Sequence, residues 1–241
     1  MRASWPVGTR FLIEIAGSKS TWQLGHELDL DQRVMSLESP LASVLLTTLP
    51  EEPFSFKGPR GIVEGRLVSV EHPDGAEGLE EVLGGIRFLR NIQARVSAKQ
   101  VLGQEEKAHL NSLGEYGLLA EALEIEFAAT RDTLAAVMAS SNWRKAGNPL
   151  KALRVTEGVE DRDPVRMSML LTTRGAALLD IGDLDGAELW AQRAIALTPS
   201  SHYPRNLLAK VMMSRGQIGE GMLAFEQAQR LESGRMFDWE D

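Results

Sequence analysis

The C-terminal part of this chain repeats itself, and that limits its fold more than any other feature. Aligning "LLTTRGAALLDIGDLDGAELWAQRAIALTPS" (170–200) with "RNLLAKVMMSRGQIGEGMLAFEQAQRLES" (205–233) pairs Gly182 with Gly216, Leu184 with Ile218, Ala187 with Gly221, Ala194 with Ala228 and Leu197 with Leu231, always 34 residues apart. An earlier copy fits "NWRKAGNPLKALRVTEGVEDRDP" (142–164), where Gly147, Ala152 and Pro164 take the places of Gly182, Ala187 and Pro199, with one extra residue near Met167. A period of this length marks one supersecondary unit per copy. No unit buries its apolar face alone, so the copies must stack. Small residues such as Gly175, Ala187 and Ala194 are expected where two helices approach closely. Leu171 and Leu178 fill the space between them, and Pro199 stops the second helix of its unit.

Period and pattern resemble the tetratricopeptide repeat, a helix-turn-helix unit. The resemblance implies about three such repeats over 133–234. A further degenerate unit is allowed around "LNSLGEYGLLAEALEIEF" (110–127), inside a stretch, 74–132, of linker and connecting helices. An acidic tail, 235–241, ends the chain. Grooves of this family are lined by the first helix of each unit, which here implies Thr172, Ala176 and Leu179 in one unit and Asn206, Lys210 and Met213 in the next. Asn206 and Lys210 suit a peptide carboxylate, which charged hydrogen bonds favour. The matching places in the preceding unit hold Thr172 and Ala176, so a mixed apolar-polar groove for a peptide or protein is expected.

The first region, 1–73, reads as strands. "RFLIEI" (10–15), "STWQLG" (20–25), "RVMSL" (33–37), "PFSFKG" (53–58) and "GIVEGRLVSVE" (61–71) are short, carry β-branched or aromatic residues and are separated by Gly, Pro, Ser or Asp clusters. The last of them predicts a bulge near Gly65. "PLASVLLTTL" (40–49) lacks turn residues and spaces Leu41, Val44, Leu45 and Leu49 as a short helix would. Pro40 suits its first position and Ser39 its N-cap. "HPDGAEG" (72–78) reads as a linker, and "IRFLRNIQARVSAKQVL" (86–102) as a helix with Ile86, Leu89, Ile92 and Val96 on one side. Arg87, Arg90, Arg95 and Lys99 lie off that side, a basic stripe that either faces water or docks on phosphates or an acidic partner.

The stretch 25–71 is similar to the C-terminal domain of the Gre transcript-cleavage factors, GreA and GreB. Ser39-Pro40-Leu41-Ala42 match that family's turn, 43–49 its helix, "KGPRG" (57–61) its hairpin turn, and Val68-Ser69-Val70-Glu71 its last strand. The resemblance covers residues 5–72 and implies an FKBP-like fold. The fold class expected is therefore α+β, a small N-terminal antiparallel sheet domain followed by an all-α solenoid. In the Gre family this domain docks on RNA polymerase through a loop between two strands, which corresponds here to Gly25, His26, Glu27, Leu28 and Asp29, with Ser39 nearby. The family usually has Pro where His26 stands. An N-terminal coiled coil with an acidic tip completes its transcript-cleaving machinery, and this chain begins directly with the docking-type domain, so cleavage activity is expected to be absent.

Composition narrows the function further. A net charge of −8 argues against electrostatic binding of nucleic acid. The absence of cysteine excludes disulfides and thiolate chemistry and favours a reducing, cytoplasmic setting. No apolar run suggests a signal peptide or a membrane span. The histidines (26, 72, 109, 202) show no metal-ligand spacing, "GPRGIVEG" lacks the lysine end of a phosphate loop, and the acidic pairs at 51–52, 80–81 and 105–106 have no catalytic companion. Trp22, Trp143 and Trp190 read as packing residues. No catalytic, cofactor or metal residues are therefore expected. The leading expectation is a bacterial adaptor with protein partners, RNA polymerase among them. Two alternatives stand beside it. One is an immunophilin-type prolyl isomerase, for which 1–73 offers only Trp5, Phe11, Trp22, Phe54 and Phe56, without the spaced Tyr-Asp-Phe set of that family's proline pocket. The other is a regulatory scaffold of a multi-component conflict system.

Overall fold

The computed structural model describes residues 5–59 and 61–237, the last six of these by backbone alone. Five strands come first: β1 (Arg10–Ile15), β2 (Ser18–Gly25), β3 (Val34–Ser36), β4 (Pro53–Gly58) and β5 (Gly61–Glu71), with a short helix α1 (Pro40–Leu45) between β3 and β4. They form one sheet in the order β3-β2-β1-β5-β4. Pairing is antiparallel except at one edge, where β3 runs parallel to β2. β1 and β2 are joined by Ala16 and Gly17, both at positive φ (50° and 76°), the tight turn whose twist matches that of the strands.

The bulge expected near Gly65 lies elsewhere. Leu12 faces Ser69 and Ile13 faces Leu67, so Val68 is the extra residue. Gly65 serves a different need, because a Cβ there would come within 2.6 Å of the Phe54 ring and 2.8 Å of the Glu14 carbonyl oxygen. On the buried face of the sheet, Phe11, Ile13, Leu24, Met35, Phe54, Leu67 and Val70 meet Leu41, Ala42 and Leu45 of α1. Ser39 caps α1 by accepting the Ala42 N–H at 3.1 Å, and Pro40 opens it. The helix ends at Leu45, earlier than the predicted 49, and its C-terminal carbonyls find other donors: the Trp5 indole N–H on Leu46 and the Thr48 hydroxyl on Val44.

Helix α2 (Gly75–Ser97) begins eleven residues before the predicted start at 86. Gly78, Gly84 and Gly85 are weak helix formers and hide it from a propensity reading. Packing overrides that weakness: a Cβ at Gly78 would come within 2.4 Å of the His72 ring, and Leu83 and Ile86 join the core beneath the sheet. Its end is earlier than predicted too. Lys99 takes φ 58°, and the Gln100 N–H turns back to the Arg95 carbonyl at 2.9 Å.

Eight further helices follow: α3 (Gln104–Leu113), α4 (Tyr116–Thr130), α5 (Thr133–Lys145), α6 (Pro149–Val155), α7 (Pro164–Asp180), α8 (Leu184–Leu197), α9 (His202–Ser214) and α10 (Ile218–Phe237). They pack as consecutive pairs, with the first helices α5, α7 and α9 also touching in sequence. The turns inside the pairs carry Gly114, Gly147, Gly182 and Gly216, at φ 74°, 74°, 84° and 83°. A left-handed residue at that place is needed once per period, and glycine takes it at least cost. Asp132, Asp163 and Asp183 each cap a following helix by accepting its first free N–H groups. Ala152, Ala187, Ala194 and Ala228 are fully buried. A Cβ on Gly175 would stand 2.8 Å from Leu207 and 3.1 Å from the Ala187 carbonyl oxygen, so the expected close approach is real.

By its internal contacts the chain divides into two compact units, 1–94 and 95–241, with the division inside α2. Residues 238–241 of the expected acidic tail, and Arg60 of the hairpin turn, lie outside the described residues.

Candidate functional site

The segment between β2 and β3 is a closed, self-supporting loop. Gly25 ends β2 where a Cβ would come within 2.4 Å of Val34, so no other residue fits without movement. Asp29 and Val34 exchange backbone hydrogen bonds at 2.9 and 2.7 Å. The Asp29 carboxylate accepts the N–H groups of Asp31 and Gln32, both at 3.0 Å. Arg33 closes the turn at φ 55°. What this frame holds outward is Glu27, Leu28, Leu30 and Asp31, with Leu28 54% and Leu30 65% exposed.

The six residues expected on this surface therefore divide by role. His26, Glu27 and Leu28 present exposed side chains. Gly25 and Asp29 shape the loop, and the Ser39 hydroxyl is occupied as the cap of α1. Leu30 and the half-exposed Leu37 were missed as surface residues. The signal for Leu30 is present in the sequence, where Leu28 and Leu30 alternate with three acids in a segment too polar to be core, whereas Leu37 reads as the last residue of a strand.

The six residues expected in the repeat groove divide as well. Ala176 is buried against Ala187, Ala191, Leu207 and Val211, and Leu179 packs on the same cluster. Met213 lies against Gly221, where a Cβ would meet its Cγ at 2.6 Å. These three hold helix pairs together. Thr172 is half-buried and its hydroxyl donates to the Ser168 carbonyl at 2.7 Å. Asn206 is half-buried with its Oδ1 unpartnered among the described residues, and Lys210 is exposed. Met169 and Tyr203, one period apart on α7 and α9, add exposed apolar surface that the sequence reading did not include.

Three of the four stripe residues on and after α2 meet carboxylates. Arg87 pairs with Glu80 at 3.6 Å, Arg90 with Glu52 at 2.7 Å, and Arg95 with Glu106. Arg90 also donates to the Thr47 carbonyl. These links lower the carboxyl of Glu52 below its ordinary value, the Arg90 hydrogen bonds first and the Leu49 N–H after them, against the opposing effect of burial. The aromatics of the first unit are mostly interior: Trp5, Phe11 and Phe54 are buried, and Trp22 and Phe56 half-buried.

Among the described residues no three His, Asp or Glu side chains gather as a metal site, and no helix is long and apolar enough to cross a membrane. In comparisons with known proteins, the chain matches no family model and no curated protein.

Proposed function

We propose that this chain is a non-enzymatic bacterial adaptor that works in the cytoplasm by holding two protein partners. Its Gre-like unit docks through the loop at 26–31, with RNA polymerase the partner that the Gre resemblance suggests. The front of α7 and α9, with Thr172, Asn206, Lys210, Met169 and Tyr203, takes a second peptide or protein. The observation that carries this reading is the loop's construction: Asp29 locks the turn from inside, so exposed Leu28 and Leu30 are held in water between Glu27 and Asp31. An apolar tip with an acidic rim suits a partner surface that is apolar at its centre and basic around it.

The test is capture of core RNA polymerase on immobilised protein, comparing wild type with a Glu27→Lys, Leu28→Lys variant. Asp29 is left intact because its carboxylate supports two backbone N–H groups, and lysine there would open the loop. Capture by wild type and its loss in the variant supports the reading. Capture that survives the variant moves the contact off the loop, and absence of capture removes polymerase as partner.

A further inference from the structure

A second surface in the helical unit has the features of a binding site and is separate from both surfaces above. A groove of about 780 Å³ runs between the end of α2, α4, α5 and α6, within the range of sites that enclose small ligands or short peptide segments. Its accessible apolar lining is Ile125, Ala128 and Ala129, with Val96 and Trp143 buried beneath, and its charged lining is Lys99, Lys151, Arg154, Glu121 and Glu124. Each carboxylate has a partner on the same unit, Glu121 only a loose and exposed one. Glu124 accepts the Trp143 indole N–H, and Glu121 lies 3.9 Å from the Lys151 ammonium. Lys151 is fixed in turn, with its Nζ 3.9 Å from the centre of the Trp143 ring. Lys99 and Arg154 are exposed, and among the described residues neither side chain has a partner. The groove thus offers two uncommitted cations and one half-committed cation beside an apolar floor, in a chain of net charge −8.

We propose that this groove takes an acidic peptide segment of a partner protein, an apolar side chain resting on Ile125, Ala128 and Ala129 while flanking carboxylates meet Lys99 and Arg154. The choice of an acidic peptide rests on charge complementarity: surplus cations on the rim favour anions and disfavour basic segments. The apolar floor favours a peptide side chain over a bare anion. α4 and α6 are the second helices of their pairs, so this site does not compete with the front of α7 and α9.

The experiment titrates the full chain with a fluorescein-labelled Glu-Leu-Leu-Glu peptide and its Gln-Leu-Leu-Gln counterpart, read by anisotropy. The acidic peptide should bind about tenfold more tightly than the neutral one and weaken as salt rises. A Lys99→Glu, Arg154→Glu variant should lose that preference while the Glu27→Lys, Leu28→Lys variant keeps it. Circular dichroism of both variants checks that they remain folded, and Arg154→Gln should give a partial loss. The inference is overturned by equal affinity for the two peptides, by no measurable binding of the acidic one, by full displacement with inorganic phosphate at the peptide's own concentration, or by loss of binding in the loop variant.

Discussion

At the residue scale, Glu52 is where acid should be felt. Arg90 donates to both of its carboxylate oxygens at 2.7 Å, and the Leu49 N–H donates to Oε2 at 3.0 Å. Because its carboxyl is held below the ordinary value in the folded state, its contribution is complete at neutral pH. It declines as pH falls from the ordinary glutamate value, about 4.3, through the lowered folded one. Replacing Glu52 with Gln should flatten the acid side of the first unit's stability-pH curve over that window, measured by denaturant midpoints at stepped pH. The pair is more than a third exposed, so the loss at neutral pH should be small, about 1 kcal/mol or less. Packing outweighs it. Ala187 is fully buried at the α7–α8 crossing, and Ala187→Leu should cost roughly 1–3 kcal/mol by overpacking, read as a lowered melting midpoint. An unchanged midpoint would contradict the close approach seen at Gly175.

At the scale of elements, what the sequence revealed depended on whether local and tertiary preferences agreed. All five strands were legible, because β-branched and aromatic runs between turn residues coincide with a half-buried sheet. The helix pairs were legible from their period, and the turn glycines mark it. The start of α2 was not, because three glycines speak against a helix that His72, Leu83 and Ile86 nevertheless require. The bulge at Val68 carried no composition signal at all. Of the loop, the position was legible but the role of Asp29 was not, since a carboxylate that turns inward reads the same as one that points out. The repeat glycines allow a sharp comparison. Gly182 sits at φ 84° with no described residue within 4 Å of where a Cβ would stand, so Gly182→Ala meets backbone strain alone and should destabilise by roughly 1–2 kcal/mol. Gly219, in α10 with ordinary φ and equally open space, should respond in the opposite sense, Gly219→Ala stabilising by roughly 0.5–1 kcal/mol. Chemical denaturation of the two variants checks both signs.

At the scale of the whole molecule, the boundary between units decides which piece can fold alone. Composition places the end of the first domain at 73, after the last strand, whereas internal contacts place it at 94. The difference is the first part of α2. Leu83 and Ile86 are each 4% exposed within the core of the sheet, and Leu79 and Val82 pack against that core. Burying two such large side chains fully contributes roughly 3–6 kcal/mol. A domain of this size has about 5–15 kcal/mol of net stability at most, so their removal takes away a large share of it. Arg90, with its links to Glu52 and the Thr47 carbonyl, would be lost as well. A fragment of residues 1–94 should therefore unfold cooperatively in denaturant, with near-ultraviolet signals from the Trp5 and Phe11 contact. A fragment of 1–73 should show a weak, broad transition and bind hydrophobic dye through its uncovered sheet face. Fragment 95–241 retains every helix pair and should melt cooperatively by its helical signal. Equal cooperativity in the 1–73 and 1–94 fragments would show that α2 covers the sheet without stabilising it.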